Sequence, residues 1–158
     1  MSKTTSALAA RRSFLSLGLA AALAPLGLAR AARGPTIEVW KDENCGCCGA
    51  WVEHMRAAGF EATVHDVADL QAIKAANGVP ASLQSCHTAR VGGYVVEGHV
   101  PATDVRRLLA ERPRAKGLTA PGMPPSSPGM DIPGTPYEVV LFGTPGNDRV
   151  WARHSGNL

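Results

Sequence analysis

Three cysteines fall within four residues, Cys45-Gly46-Cys47-Cys48, and a fourth, Cys86, stands apart in Ser85-Cys86-His87-Thr88. Clustered thiols either exchange electrons as dithiol and disulfide or hold soft metal ions as thiolates. Cys45 and Cys48 form a C-x-x-C pair, the spacing of a thiol–disulfide site with one attacking and one resolving sulfur. Cys47 separates the two chemistries. To a dithiol oxidoreductase it offers competing, dead-end bridges; to a metal site it offers another donor. Thiolate sulfur can bridge ions, and clustered thiolates suit Cu(I), which accepts low coordination by soft donors. Zinc with four thiolates ranks lower. Adjacent Cys47 and Cys48 do not readily take two corners of one tetrahedron, and structural zinc sites space their cysteines by two to four residues. Two structural disulfides are the bland alternative, and the spacing argues against them. Such a scheme puts a bridge inside residues 45–48 or sends two bridges out of it, with only Cys86 outside. A bridge in so short a loop constrains little unfolded-state entropy, and a Cys47–Cys48 bridge is strained.

Cys86 is either a fourth thiolate closing the site or a buried small hydrophobe. Met123 and Met130 end two copies of Pro-Gly-Met, seven residues apart in a breaker-rich tract. Core methionines belong to periodic segments and these do not, so they are either exposed loop residues without a role or thioethers that a flexible loop brings over the cluster. His87 adjoins Cys86, and His99 lies in Glu97-Gly98-His99; either is a candidate ligand or ligand partner. His54 and His65 read as plain surface residues, His154 carries no signal, and Asp66 and Asp69 read as a turn and a cap.

Ordinary elements must position these groups. Residues 36–41 alternate as a strand, and Asn44 is an N-cap candidate for a helix carrying Trp51, Val52 and Met55, stopped by Gly59. Residues 60–67 alternate as a second strand. Asp69 caps a short helix ending at Asn77-Gly78. Val79-Pro80 precedes two strand-like pieces around Gly92-Gly93, and Pro101 suits the first turn of a third helix that buries Val105, Leu108 and Leu109. Residues 117–136 read as an irregular loop. Residues 137–142 and 149–152 make a terminal hairpin. The order β-α-β-α-β-β-α with a cysteine pair at the first strand-to-helix junction is a thioredoxin-like α/β (α+β) layout: a small mixed sheet flanked by helices, with an irregular Pro/Gly/Met loop and a C-terminal hairpin.

Residues 1–31 read as an export signal rather than as fold. Arg11-Arg12-Ser13-Phe14-Leu15 precedes an uncharged, Leu- and Ala-rich run, and Ala29-Arg30-Ala31 offers a cleavage site. The paired arginines are those of a twin-arginine signal. Pro25 and two glycines interrupt the run, which is short of the ~20 residues needed to span a membrane. Four of the 16 basic residues of the chain (Lys3, Arg11, Arg12 and Arg30) lie in this segment, and none of the 13 acidic ones, leaving 12 against 13 in the remainder. No basic stripe is left to point to nucleic acid, and residues 32–158 suffice for one domain. The expectation is an exported, periplasmic domain with no membrane attachment once the signal is removed.

The motifs Cys45-Gly46-Cys47-Cys48, Val-Pro-Ala-Ser-Leu-Gln-Ser-Cys-His-Thr (79–88), Gly-Gly-Tyr-Val-Val-Glu-Gly-His-Val-Pro-Ala (92–102) and the two Pro-Gly-Met segments resemble a bacterial periplasmic metal-binding family of formerly unknown function that includes the copper-resistance protein CopG. The similarity spans about residues 36–154. It implies a thioredoxin-like fold and copper handling. It implicates Cys45, Cys47, Cys48 and Cys86, and extends to the Pro-Gly-Met segments and to Glu97-Gly98-His99. Binding, transfer and oxidation of copper all fit it. The leading expectation is therefore a periplasmic copper-binding protein of resistance or homeostasis that holds one or more Cu(I) ions, exchanges them with other periplasmic copper-handling proteins, and extends naturally to a copper oxidoreductase. The alternative is a thiol–disulfide oxidoreductase using Cys45 and Cys48.

Overall fold

A computed structural model of the protein describes residues 34–157, and the export signal read in residues 1–31 lies outside them. Seven strands form one mixed sheet in the order β2-β1-β3-β4-β5-β6-β7. β1 (Thr36–Lys41) is followed by α1 (Gly46–Ala57), β2 (Glu61–Asp66) and α2 (Leu70–Ala76). A single 3₁₀ turn (Ala81–Leu83) leads to β3 (Thr88–Val91), β4 (Tyr94–Glu97) and α3 (Ala102–Glu111). β5 (Gly117–Thr119), β6 (Tyr137–Phe142) and β7 (Arg149–His154) complete the chain. β1 pairs parallel with β2 and antiparallel with β3, and β3 pairs antiparallel with β4. The β-α-β half and the β-β-α half expected from the sequence thus join at the β1–β3 seam.

The periodicities explain the packing. In β1, Ile37 and Val39 are fully buried while Glu38 faces out. α1 turns Trp51, Val52 and Met55 onto the same core, with Ala89, Val96 and Leu118. Each such large apolar side chain is worth roughly 1.5–3 kcal/mol. The helix ends where expected. Gly59 adopts φ +85°, its N–H reaches Arg56 O, and the Phe60 N–H reaches Met55 O at 3.0 Å, closing the last turn. Asp69 caps α2 by accepting the Ala72 N–H at 3.0 Å, as its position predicts.

Three expectations are corrected. The sheet is not small, because the tract read as loop from residue 117 begins with β5. This strand pairs parallel with β4 and antiparallel with β6, so the terminal hairpin extends the same sheet. Asn44 is not the cap of α1. Its backbone N–H bonds Asp42 Oδ1, and Cys45 occupies the cap position with no side-chain cap hydrogen bond. Pro101 is the residue before α3 rather than inside its first turn. Among the described residues no helix is long and apolar enough to cross a membrane.

Candidate metal centre

The start of α1 presents the cysteine triad. Cys45 sits at the cap with extended backbone, Cys47 and Cys48 lie in the first turn, and the first turn holds no acidic residue. Cys48 is buried; Cys45 and Cys47 are half-buried. The scheme of two structural disulfides does not form; the one bridge is that of the C-x-x-C pair. Cys45 and Cys48 are joined by a disulfide, with their Cα atoms 5.3 Å apart. Cys47 and Cys86 are free thiols, and Cys47 Sγ lies 3.6 Å from Cys45 Sγ. The bridge closes a separation of only three residues, so it is a weak staple. Ligation by all four sulfurs requires the reduced form.

Cys86 arrives from the segment between the 3₁₀ turn and β3. Its backbone carbonyl lies 3.9 Å from Cys48 Sγ. The sulfurs of Cys45, Cys47, Cys48 and Cys86 all lie within 4.8 Å of one another. Donor atoms of Cys86, His87 and His99 form a second group of the same tightness that shares Cys86. Cys86 Sγ is 2.8 Å from His99 Nε2 and 3.5 Å from His87 Nδ1. His99 Nδ1 faces Pro128 O at 2.8 Å, which fixes the ring: Nδ1 donates to the carbonyl and Nε2 accepts the Cys86 thiol proton. Burial, then Cys47, push the Cys86 thiol up to about 12, while burial lowers His99. The two therefore meet as neutral thiol and neutral imidazole. His87 is fully buried beneath Trp51, ring centroids 4.4 Å apart, and burial above all holds it well below the usual imidazole value.

The donor set tests well for a soft ion. It offers four sulfurs and, beside them, neutral imidazoles; His87 Nε2 is buried without a hydrogen-bond partner. Sulfur and imidazole donors of this kind select Cu(I), zinc and similar ions rather than hard cations.

The methionine tract is anchored on both sides of the site, contrary to the expectation of a flexible loop. Gly122 pairs with Ser85 in an isolated parallel bridge, its N–H bonded to Gln84 O at 3.0 Å, so Met123 adjoins the Cys86 segment. Gly129 sits on the first turn of α1, where a Cβ would fall 2.7 Å from Trp51 N and 2.8 Å from Cys47 O. Within the tract, buried Ser126 and Ser127 bond Ile132 O and Pro124 O. Met123 is 55% exposed and Met130 is half-buried.

Other sequence readings change in detail. His54 is not a plain surface residue. Its Nε2 accepts the Ala102 N–H at 3.1 Å and so caps α3. His65 stacks on Trp40, and His154 pairs with Asp104 at 2.7 Å; both lie outside the two donor groups. Asp66 pairs with Lys41 at 2.8 Å. Sequence reasoning missed Lys74, the buried residue of α2, which pairs with Glu97. Its signal was a charge four residues after Leu70, completing an i, i+3, i+4 stripe with Ile73 that should be apolar.

Residues 83–130, from the end of the 3₁₀ turn to Met130, match the family described as "Protein of unknown function, DUF411". No curated protein matches the chain. Two solved structures, described as copper resistance protein copG in forms 1 and 2, are 45% and 44% identical to it, with TM-scores of 0.71 and 0.72. In both, the match covers 77% of this chain and 98% of the other.

Proposed function

The chain belongs to the family of the copper resistance protein CopG, and from that premise we propose that it is a periplasmic copper-binding protein of copper resistance and homeostasis. The observation that carries the reading is the meeting of four sulfurs, within 4.8 Å of one another, from two segments 38 residues apart. Reduced, these thiols of Cys45, Cys47, Cys48 and Cys86 hold Cu(I), and bridging sulfur accommodates more than one ion; zinc is the weaker candidate. Buried His87 and His99, and Met123 and Met130 from the methionine tract, complete the donor set. Residues 1–31 direct export by the twin-arginine route, residues 32–158 form a thioredoxin-like copper-binding domain, and other periplasmic copper-handling proteins load or unload it. A copper oxidoreductase activity extends the same site. When the Cys45–Cys48 dithiol closes to the disulfide it releases two electrons and two protons, which reduces two Cu(II) substrate ions to Cu(I).

Anaerobic titration of reduced protein with Cu(I) against a competing chelator tests the binding. Wild type is expected to keep the ion and Cys47→Ser to lose it more readily. Wild type that yields its Cu(I) as easily as Cys47→Ser sinks the reading. The Cys45–Cys48 disulfide supports a second reading, a thiol–disulfide oxidoreductase with Cys45 attacking and Cys48 resolving. That activity predicts insulin reduction that survives loss of both Cys47 and Cys86; its disappearance in that double variant counts against it.

A further inference from the structure

Two buried charges bond the residues that flank Cys86-His87. Lys74 is 2% exposed and Glu97, the last residue of β4, is fully buried; Nζ and Oε1 are 2.5 Å apart. A buried ion pair is weak evidence for stability, because desolvation offsets most of the attraction. The pair is informative for what else it grips. Glu97 Oε1 also accepts the Ser85 backbone N–H at 2.7 Å, and Oε2 accepts the Thr88 hydroxyl at 2.7 Å. Lys74 Nζ donates to Thr88 Oγ1 at 3.2 Å. Ser85 and Thr88 are the residues immediately before and after Cys86-His87. One carboxylate therefore holds both ends of the dipeptide that carries a thiol and an imidazole of the donor groups. Lys74 supplies the countercharge and fastens α2 to the same point.

We propose that Glu97, held by Lys74, is the positioning residue that presets Cys86 and His87 for a soft metal before any metal is bound. The role rests on the metal-site reading above. It differs from a stabilising ion pair in what it requires: an acceptor at position 97, not a charge.

Two double variants separate these. Lys74→Met/Glu97→Gln removes both charges but keeps an acceptor for the Ser85 N–H. Lys74→Met/Glu97→Leu removes both charges and the acceptor. In reduced, metal-free protein, alkylation of each cysteine is followed by peptide mapping. Cys86 is expected to react about tenfold faster in the Leu variant than in the Gln variant, with Cys47 as the internal reference. Cu(I) retention against a chelator is expected to fall about tenfold in the Leu variant relative to the Gln variant, the lower end of the effect of removing a ligand's support. In a Cys86→Ser background that difference is expected to vanish, which general destabilisation would not produce. Thr88→Val, milder and nearly isosteric, guards against a folding failure of the Leu variant and is expected to raise Cys86 reactivity above wild type. Equal Cys86 rates in the two double variants, a wild-type rate in Thr88→Val, or a retention difference that persists without Cys86 overturns the proposal. Wild type that fails to retain Cu(I) overturns the copper reading alone, since the alkylation contrast is read without metal.

Discussion

Replacing Gly129 with alanine tests whether the second Pro-Gly-Met segment is seated on α1. Gly129 has φ +87°, and its missing Cβ would stand 2.7 Å from Trp51 N and 2.8 Å from Cys47 O. Both neighbours are backbone atoms of a helix that carries the core, so neither yields cheaply. Gly122, the middle residue of the first Pro-Gly-Met, has φ +69°, and a Cβ there would meet nothing within 4 Å. It is the internal control: the same motif and left-handed backbone without the collision. Gly122→Ala is expected to lose roughly 1–2 kcal/mol, the cost of a left-handed backbone in a residue with a Cβ. Gly129→Ala carries that cost plus about 1–3 kcal/mol for forcing an atom into packed surroundings. For a domain of this size each kcal/mol lowers the thermal midpoint by about 3–5 °C. The two variants, melted in the same redox state without metal, should therefore differ by at least about 3 °C. The collision should also lift Pro128 O from His99 Nδ1, now 2.8 Å away, and raise the alkylation rate of Cys86 in Gly129→Ala only. Equal midpoints and equal Cys86 rates in the two variants would refute the seating.

Two further outcomes follow from the imidazoles and the indole. Burial lowers His87, His99 and His54 below the usual 6.5, so between 6.5 and the depressed folded values the unfolded chain takes up protons that the folded chain refuses. Stability of the reduced, metal-free protein is then full above about pH 7 and falls as pH drops through 6.5. Fully buried His87 contributes the largest share, up to about 1.4 kcal/mol per pH unit. Urea midpoints that stay level from pH 7.5 to 5 contradict this. Trp51→Phe removes the 2.9 Å bond from Nε1 to buried Val100 O and is expected to lower the unfolding free energy by about 1–3 kcal/mol; a loss below about 0.5 kcal/mol in denaturant unfolding counts against that bond.

The sequence exposed what local pattern controls. The triad at a strand-to-helix junction, the glycine stop of α1 and the Asp69 cap follow from spacing and propensity, and the structure bears them out. It hid what tertiary contact controls. β5 is three residues long, begins with glycine and runs into a proline-rich tract, so no periodicity announces it; its place is set by β4 and β6 on either side. Asn44 is a better cap by propensity than Cys45, yet a turn at Asp42, whose Oδ1 takes the Asn44 N–H and whose carbonyl takes the Cys45 N–H, carries the chain one residue further before α1 begins. The position of Lys74 on the apolar stripe of α2 has no explanation in local pattern until Glu97, 23 residues on, is seen to meet it. His54 reads as surface because its partner, the Ala102 N–H, lies 48 residues away. His87 and His99 were legible as candidates from their neighbours, but their convergence on Cys86 depends on the β3–β4 pairing.

The uneven distribution of donors along the chain has a thermodynamic consequence. Three of the four sulfurs lie in four consecutive residues and stay together when the chain unfolds. Cys86, the imidazoles and the two methionines depend on the fold to join them. A soft ion therefore has affinity for the denatured ensemble as well as for the native one, and linkage rewards only the difference. On the proposed site, saturation would raise the melting point by what the residues beyond the triad add to it, not by the whole binding free energy. If the proposed site holds an ion, a chain losing its fold would keep a grip on it through the three neighbouring thiols, the last set to let go.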